Sequence, residues 1–297
     1  MRSVPGAVAT GSRAQRLDST RSLPLPVLTL RLMAIITLLT DFGSQDYFVG
    51  AMKGAILSIN SDAGIVDITH EIPPQDIRAA AFNLLAVYKD FPAGTIHVAV
   101  VDPGVGSARR GIIINCTSQF FVGPDNGLFS WICEREENFQ AVHLTNDSFF
   151  RHPVSDTFHG RDIFAPVAAA LSNGVALNEF GPMIDDLIQI ESLSPRTVDG
   201  GAIEATIIHI DRFGNCITNL TCDHLAGKQI GAGARLVVNG REVSSFRGFF
   251  ADSGGGELFC LFGSAGFLEI AAQNSSAARI LGAQRGHRVI LQSNRAD

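Results

Sequence analysis

The sequence has few charged residues and no cluster of positive charge. Charged side chains make up 18% of its 297 residues, apolar side chains make up 46%, and the formal net charge is −6. Because phosphate backbones are bound by clustered Lys and Arg, the lack of a Lys/Arg-rich run argues against a nucleic-acid partner. No apolar run reaches the roughly 18 residues that a membrane-spanning helix needs, so no membrane partner is predicted either.

Cysteine is scarce, and neither cysteine nor histidine is spaced as metal sites require. The five cysteines form no CxxC pair, and the eight histidines show no HxH or HExxH spacing. An odd count of unpaired cysteines is typical of reduced thiols, which predicts a cytoplasmic protein. We therefore predict a site without a metal ion.

The first 32 residues lack the apolar periodicity of the rest of the chain. They combine Ser, Gly and Pro with five Arg and one acidic residue, and they contain no long apolar segment. This pattern predicts a disordered or leader extension over 1–32, with the folded protein beginning at Met33. A linker-like stretch, ESLSPRTVDGG at 191–201, then divides the remainder into predicted domains at 33–194 and 195–297.

The two predicted domains differ in the rhythm of their apolar runs. In the first, strand-like runs at 34–40, 65–68, 95–101, 111–116 and 120–122 alternate with helical spacing at 47–59, 77–89 and 163–171. This alternation predicts an α/β domain with a mostly parallel central sheet covered on both faces. In the second, short β-type runs follow one another without helices, which predicts a small all-β, barrel-like domain.

The loop between the runs at 95–101 and 111–116 carries the charge that those strands lack. Asp102 follows the first strand, glycines bend the chain, and Arg109 and Arg110 precede the second strand. Ligands of open α/β sheets bind beyond the carboxyl ends of strands, so this loop predicts a functional site. Taken singly, Asp102 is more typical of a turn, and the two arginines are more typical of solvated loop charges.

Further polar loops recur at strand ends in both domains. Asp41 ends the first strand, and His159 lies in the loop FHGRD. Taken singly, a histidine after an aromatic residue is more typical of a half-buried structural position. The second domain contains DRFGN at 211–215 and GSAGFLE at 263–269. Their amide, hydroxyl, carboxylate and aromatic groups together suit a purine nucleoside that carries an amino-acid tail.

Seven short motifs, in order along the chain, resemble those of one enzyme family. They are TDFG (40–43), VDITHEIPPQ (66–75), HVAVVDPGVGSARR (97–110), GPDNG (123–127), TFHGRDIFAP (157–166), DRFGNCITN (211–219) and GFLEIA (266–271). Each alone is weak, but the ordered set is similar to the S-adenosylmethionine hydrolases, also called hydroxide adenosyltransferases. Relatives of that family make 5′-chloro- and 5′-fluoro-deoxyadenosine. The resemblance runs from Ile35 to the C-terminus.

The resemblance implies an α/β domain followed by a barrel-like domain, and a homotrimer. Each of its three sites would lie between the N-terminal domain of one subunit and the C-terminal domain of its neighbour. The residues that match the family's water-activating set are Asp102, Arg109 and His159. Asp41 of TDFG would bind the ribose hydroxyls. Arginine stays protonated in proteins, so Arg109 would orient the water rather than act as a base.

The resemblance and the residue chemistry together place the remaining substrate contacts in the second domain. The amide of Asn215 would pair with the adenine edge while Phe213 covers an aromatic face. Ser264, Glu269 and the backbone around Ala272 would meet the nucleoside and methionine portions.

The predicted reaction is hydrolysis of S-adenosylmethionine to adenosine and methionine, with an activated water attacking C5′. S-adenosylmethionine is then a small-molecule substrate, and no cofactor is predicted. The set of Asp102, Arg109 and His159 favours water over a halide as nucleophile. Halide-dependent adenosyl transfer, a non-catalytic adenosine-binding protein and a purely structural trimer stay open as alternatives. The division of proton-transfer roles between Asp102 and His159 stays open too.

Overall fold

The structure is a computed structural model that describes residues 33–136, 138–225, 234–250 and 256–292. The predicted extension at 1–32 lies outside the described residues. Among the helices of the described part, none is long and apolar enough to cross a membrane.

Strands and helices alternate through the first half of the chain, and strands dominate the second. The described strands are β1 (Ile35–Thr40), β2 (Gly64–Thr69), β3 (Ile96–Val100), β4 (Gly111–Cys116), β5 (Phe120–Pro124), β6 (Phe139–His143), β7 (Met183–Ile184), β8 (Arg196–Thr197), β9 (Ile203–Ile210), β10 (Cys216–Thr221), β11 (Arg235–Val238), β12 (Arg241–Val243), β13 (Leu258–Phe262), β14 (Phe267–Ala272) and β15 (Arg288–Gln292). The described α-helices are α1 (Phe48–Ile59), α2 (Ile77–Val87), α3 (Ser130–Arg135), α4 (Ala165–Ser172), α5 (Cys222–Leu225) and α6 (Ala277–Leu281).

The N-terminal sheet has seven strands in the order β2-β1-β3-β5-β4-β6-β7. Neighbouring strands from β2 to β5 pair in parallel, whereas β4 runs antiparallel to both β5 and β6. Since β6 regains the direction of the parallel strands, the prediction of a mostly parallel sheet is confirmed. The sequence did not predict that β5 lies between β3 and β4. The charged loop from β3 to β4 therefore crosses the carboxyl end of β5.

Helices cover both faces of this sheet, as the alternating apolar runs require. In β4, Ile113 packs with α1 and α4, while Ile112 and Ile114 pack with α2 and α3 on the opposite face. Successive residues of a strand point to opposite faces, so a strand that is apolar throughout must be buried on both. Each fully buried Ile or Leu contributes about 1.5–3 kcal/mol through removal of apolar surface from water.

The C-terminal domain is an antiparallel sheet in the order β12-β11-β15-β9-β10-β14-β13, with β8 paired to β9. Its two ends approach each other beyond β12. The backbone N–H of Cys260 in β13 donates to the carbonyl of Ser245 at 2.7 Å, and the N–H of Arg247 donates to the carbonyl of Cys260 at 2.9 Å. The sheet is therefore a nearly closed barrel around an apolar core, as the sequence predicted.

A buried histidine in the central sheet makes stability depend on pH. His97 of β3 is fully buried, and its Nδ1 lies 2.8 Å from Thr37 Oγ1 of β1. Burial lowers the pKa of His97 from 6.5 to about 4. Between pH 6.5 and pH 4, His97 is therefore protonated in the unfolded chain but neutral in the folded chain. Proton binding then favours the unfolded chain, so the free energy of unfolding falls as the pH decreases from 6.5 towards 4.

We expect His97 to contribute about 2 kcal/mol to the fall in unfolding free energy between pH 7 and pH 5. Urea denaturation of the wild type and of His97→Asn at both pH values measures this contribution. The exposed His152, changed to Asn, is the control for the loss of an imidazole from the surface. An equal pH dependence in His97→Asn and the wild type would contradict the prediction.

Candidate active site

Three carboxylates follow three neighbouring parallel strands at one edge of the N-terminal sheet. Asp41 comes directly after β1, Asp102 lies two residues after β3, and Asp125 comes directly after β5. The register that pairs Thr40 with Val100 sets Asp41 and Asp102 side by side at that edge. Asp125 is bonded by Arg110 at 2.8 Å, and Arg110 also contacts Asp186, so this second arginine braces a neighbouring loop.

The loop after β3 packs closely against the segment that precedes His159, and a glycine permits the approach. Gly106 has a φ of +76°, and a Cβ atom at this position would lie 2.3 Å from the carbonyl oxygen of Asp156. No other residue fits there without moving the backbone. This close approach brings Arg109 to His159, although 50 residues separate them in the chain.

Arg109 joins Asp102 and His159 in one contact network. Its Nε donates to Asp102 Oδ1 at 2.9 Å and Oδ2 at 3.0 Å, and its Nη2 contacts Oδ2 as well. The same Nη2 lies 2.7 Å from His159 Nδ1. The Arg109 side chain is 10% exposed and that of Asp102 is 5% exposed, while the guanidinium carbon lies 5.2 Å from the ring centre of Phe164. An ion pair with so little exposure is fixed in geometry and weakly screened.

The contact with Arg109 determines which nitrogen of His159 carries a proton. A guanidinium has only donors, so Nδ1 must accept and the neutral ring bears its hydrogen on Nε2. Burial lowers the pKa of His159 below its ordinary value, and the charge of Arg109 lowers it further. His159 is therefore held neutral near pH 7, with an N–H donor on Nε2.

Asp41 is oriented by the loop that precedes α2. Its Oδ2 accepts the backbone N–H of Gln75 at 2.7 Å, and Gln75 has a φ of +66°, which is unusual for a residue with a side chain. Within the described residues, Asp41 Oδ1 has no hydrogen-bond partner. The ring of Phe42 packs on Phe158 at 5.8 Å between ring centres, so Asp41 and His159 belong to one cluster.

In the C-terminal domain, Phe213 and Asn215 occupy one tight loop between β9 and β10. Asp211 Oδ1 accepts the backbone N–H groups of Phe213 at 2.9 Å and Asn215 at 2.8 Å, and its Oδ2 accepts Asn215 Nδ2 at 2.8 Å. Asn215 is 6% exposed, but Phe213 is 78% exposed. The amide of Asn215 keeps one N–H and its oxygen available, and Phe213 presents an open aromatic face.

The other residues predicted in this domain lie on and beside β14. Ser264 is exposed in the turn from β13, and Glu269 is half-buried on the outer face of β14, where its Oε1 packs against Gly263. Burial, and then the charge of Asp211, raise the pKa of Glu269 to about 7. The side chain of Ala272 packs in the barrel core, so only its backbone can meet a ligand.

The predicted residues thus form two groups within one chain. Asp41, Asp102, Arg109 and His159 lie at the sheet edge, and the others lie on the barrel. Among the described residues, no hydrogen bond, ion pair or ring contact joins one group to the other. The described part also contains no cluster of three or more His, Cys, Asp or Glu side chains arranged to hold a metal ion.

Sequence reasoning missed two groups that orient these side chains. Asp211 accepts hydrogen bonds that fix the loop of Phe213 and Asn215. The sequence signal for it is an Asp shortly before Gly214, a pattern typical of a turn in which the Asp side chain accepts backbone N–H groups. The N–H of Gln75 orients Asp41, but nothing in the sequence indicated its left-handed backbone, which glycine or asparagine more often adopts.

Comparison with known proteins gives matches to both domains of the chain. Residues 36–181 match the family model of the SAM hydroxide adenosyltransferase N-terminal domain, and residues 205–290 match that of the C-terminal domain. The chain belongs to the SAM hydroxide adenosyltransferase family.

Individual relatives agree with this assignment. A protein of Methanocaldococcus jannaschii named (R)-S-adenosyl-L-methionine hydrolase is 37% identical over 84% of this chain and 92% of its own length. A fluorinase of an Actinoplanes species is 28% identical over 80% of this chain and 90% of its own. The solved structure of a conserved protein from Thermotoga maritima superposes with a TM-score of 0.80 at 35% identity, covering 86% of this chain and 99% of that one.

Proposed function

We propose that this protein hydrolyses S-adenosyl-L-methionine to adenosine and L-methionine. The oxygen of water forms a bond to C5′, the bond from C5′ to the sulfonium breaks, and its electron pair stays on sulfur as the neutral thioether of methionine. One proton of the water is released. Relatives at 34–37% identity that are named (R)-S-adenosyl-L-methionine hydrolase support this reaction, and their name adds a sulfonium configuration that the sequence left unspecified.

The observation that carries the proposal is the contact of Arg109 with both Asp102 and His159. The leaving thioether is neutral and needs no acid, so the enzyme's task is to align a weak nucleophile and accept its proton. The guanidinium would stabilise the negative charge that develops on the water oxygen. The Nε2–H of His159 would hold that oxygen in line with C5′.

Asp102 is the better proton acceptor of the two candidates. Nδ1 of His159 already accepts from Arg109, and Nε2 of the neutral ring already carries a hydrogen, so His159 has no free lone pair. Asp102 Oδ2 is contacted by both Nε and Nη2 of Arg109, but Oδ1 accepts only from Nε and so has a second acceptor position. A water that is forming a bond to carbon becomes strongly acidic, so a carboxylate is basic enough to take its proton.

The substrate-binding roles follow from the same two groups of residues. Asp41 would accept the ribose hydroxyls through its free Oδ1, and Asn215 would pair with the adenine edge beside the face of Phe213. Ser264, Glu269 and the backbone of Ala272 would meet the methionine portion and the adjoining nucleoside. Since the pKa of Glu269 is raised to about 7, the ammonium group of the methionine portion would stabilise its ionised carboxylate on binding.

We propose further that the protein is a homotrimer whose sites combine the sheet edge of one subunit with the barrel of its neighbour. Two exposed aromatic rings support this arrangement. Tyr47 is 69% exposed, and its ring centre lies 6.5 Å from that of Phe158, the residue before His159, while Phe213 is 78% exposed on the barrel. Each group of residues therefore has an exposed aromatic ring that a neighbouring subunit could contact, and aromatic rings are enriched in interfaces.

Mixed trimers test the shared site. Arg109→Ala chains lack a functional sheet edge, and Asn215→Ala chains lack the adenine contact, so each variant alone should turn over slowly at low substrate concentration. Equal mixing with random exchange of subunits should restore about a quarter of the sites to wild type, because some sites then take each half from an unaltered domain. Turnover after denaturation and joint refolding measures the recovery.

The control for mixing is a refolded sample that contains one variant only. Mass spectrometry of trimers with distinguishable tags verifies that mixed assemblies form. Absence of recovery in verified mixed trimers would mean that both residues serve a site within one chain.

Separation of the products by chromatography tests the reaction itself. Purified protein given the (R) and the (S) sulfonium epimers in turn should release adenosine from the (R) epimer in stoichiometric amounts with methionine. The same incubation in chloride and in fluoride buffers should yield no 5′-halogenated nucleoside. Formation of that product would favour halide transfer, and adenosine binding without turnover would favour a binding protein.

The domain limits at 33–194 and 195–297 and the cytoplasmic location stay predictions.

A further inference from the structure

The turn that carries Asp41 is held on both sides by a single histidine. His70 follows β2, and its Nδ1 lies 2.9 Å from Oγ1 of Thr40, the residue before Asp41. The carbonyl of His70 accepts the backbone N–H of Gly43, two residues after Asp41, at 2.8 Å. Hydrogen bonds to His70 therefore hold the chain both before and after Asp41.

The hydrogen bonds around Thr40 have a defined direction. Thr40 is fully buried, and its Oγ1 accepts the backbone N–H of Phe42 at 3.2 Å, so its own hydrogen is free to bond Nδ1 of His70. Nε2 of His70 lies 3.1 Å from Asp67 Oδ1, outside hydrogen-bond alignment, so that contact is electrostatic. Asp67 is in turn bonded by Lys53 Nζ at 2.6 Å. The ring of His70 is thereby fixed from both sides.

We propose that Thr40 and His70 are positioning residues for ribose recognition. They hold the turn of residues 40–43 so that Oδ1 of Asp41 points away from Gln75 and remains available to the ribose hydroxyls. This inference rests on the proposed function of Asp41. Because both residues act through Asp41, their loss should weaken only the part of nucleoside binding that depends on those hydroxyls.

The same strand contains a matched pair that lies away from the turn. Thr37 Oγ1 and His97 Nδ1 are 2.8 Å apart, and both side chains are fully buried in the centre of the sheet. Thr37→Val and Thr40→Val each remove one buried hydroxyl that bonds a histidine. Both changes should lower stability, but only Thr40→Val borders Asp41.

The experiment compares adenosine with 2′,3′-dideoxyadenosine by calorimetry on the full protein. We expect Thr40→Val to weaken adenosine binding roughly tenfold, the effect of losing one well-oriented hydrogen bond to a charged group, and to change the dideoxy compound less than about twofold. His70→Phe should reproduce this selective loss. Thr37→Val should leave both affinities unchanged, and Thr40→Ser should restore adenosine binding.

An equal loss for both nucleosides in Thr40→Val, or no loss for either, would overturn the inference. If Thr40→Val fails to fold, His70→Phe decides by the same criterion. Asp41→Asn separates this inference from the proposed function. If Asp41→Asn does not discriminate between the nucleosides, the assignment of Asp41 to the ribose is wrong. If Asp41→Asn weakens adenosine binding selectively but Thr40→Val and His70→Phe do not, only the positioning role of Thr40 and His70 is rejected.

Discussion

Replacing Arg109 with alanine should lower kcat by roughly 10²–10³-fold and change adenosine affinity by less than about threefold. The guanidinium is the only group that contacts both Asp102 and His159 in the described site, and it would stabilise charge that develops only as water attacks. An interaction made only in the transition state raises kcat without tightening product binding. Single-turnover kinetics and calorimetry with adenosine measure the two effects separately.

Two further variants sharpen this prediction. Arg109→Lys should recover little activity, because a single ammonium cannot form the forked contact with Asp102 and reach His159 as well. Arg110→Lys is the matched control, since the adjacent arginine binds Asp125 and Asp186 outside the site, and its kcat should equal that of the wild type. A parallel loss of kcat and adenosine affinity in Arg109→Ala would instead assign Arg109 to substrate binding.

The buried central strands of both sheets were predictable because each is a short apolar run in the sequence. The strands β6, β7, β8 and β12 were not predicted. The stretch 112–114 consists of three isoleucines, and consecutive apolar residues are typical of a strand that is covered on both faces. The order of the strands was not predictable to the same extent. β5 follows β4 through a three-residue connection, yet it also pairs with β3, and that second pairing depends on tertiary packing rather than on local pattern.

In the candidate site too, contacts within one loop were predictable, but contacts between distant parts of the chain were not. Asp102 and Arg109 belong to one short loop, so their proximity could be inferred from the glycines and the proline between them. The contact of Arg109 with His159 joins parts of the chain 50 residues apart, and it depends on Gly106 packing against the backbone of Asp156. The tautomer of His159 follows from that contact alone. The sequence could therefore name the three residues and exclude Arg109 as a base, but it could not divide the proton-transfer roles between Asp102 and His159.

The second large effect concerns His159, and it distinguishes an acceptor for Arg109 from a catalytic base. If Nδ1 serves to orient Arg109, His159→Ala should lower kcat roughly 10²-fold, in the range of a lost positioned catalytic group. His159→Asn places an amide oxygen near the position of Nδ1, so its kcat should be about tenfold higher than that of His159→Ala or more. If His159 is the base, Asn cannot replace it, and the two variants should be equally slow.

The pH dependence of kcat provides an independent criterion for the same assignment. Protonation of His159 would remove the acceptor at Nδ1 and place two cations together, so the wild-type rate should fall as the pH drops through the pKa of His159. Burial and Arg109 hold that pKa below 6.5 against the opposing charges of Asp102, Asp156 and Asp162, so the rate should be constant near pH 7 and fall only on the acid side. In His159→Asn this acid limb should disappear while measurable turnover persists. If the rate of His159→Asn falls at the same acidic pH as that of the wild type, another group titrates. That result would contradict the prediction that protonation of His159 causes the acid limb.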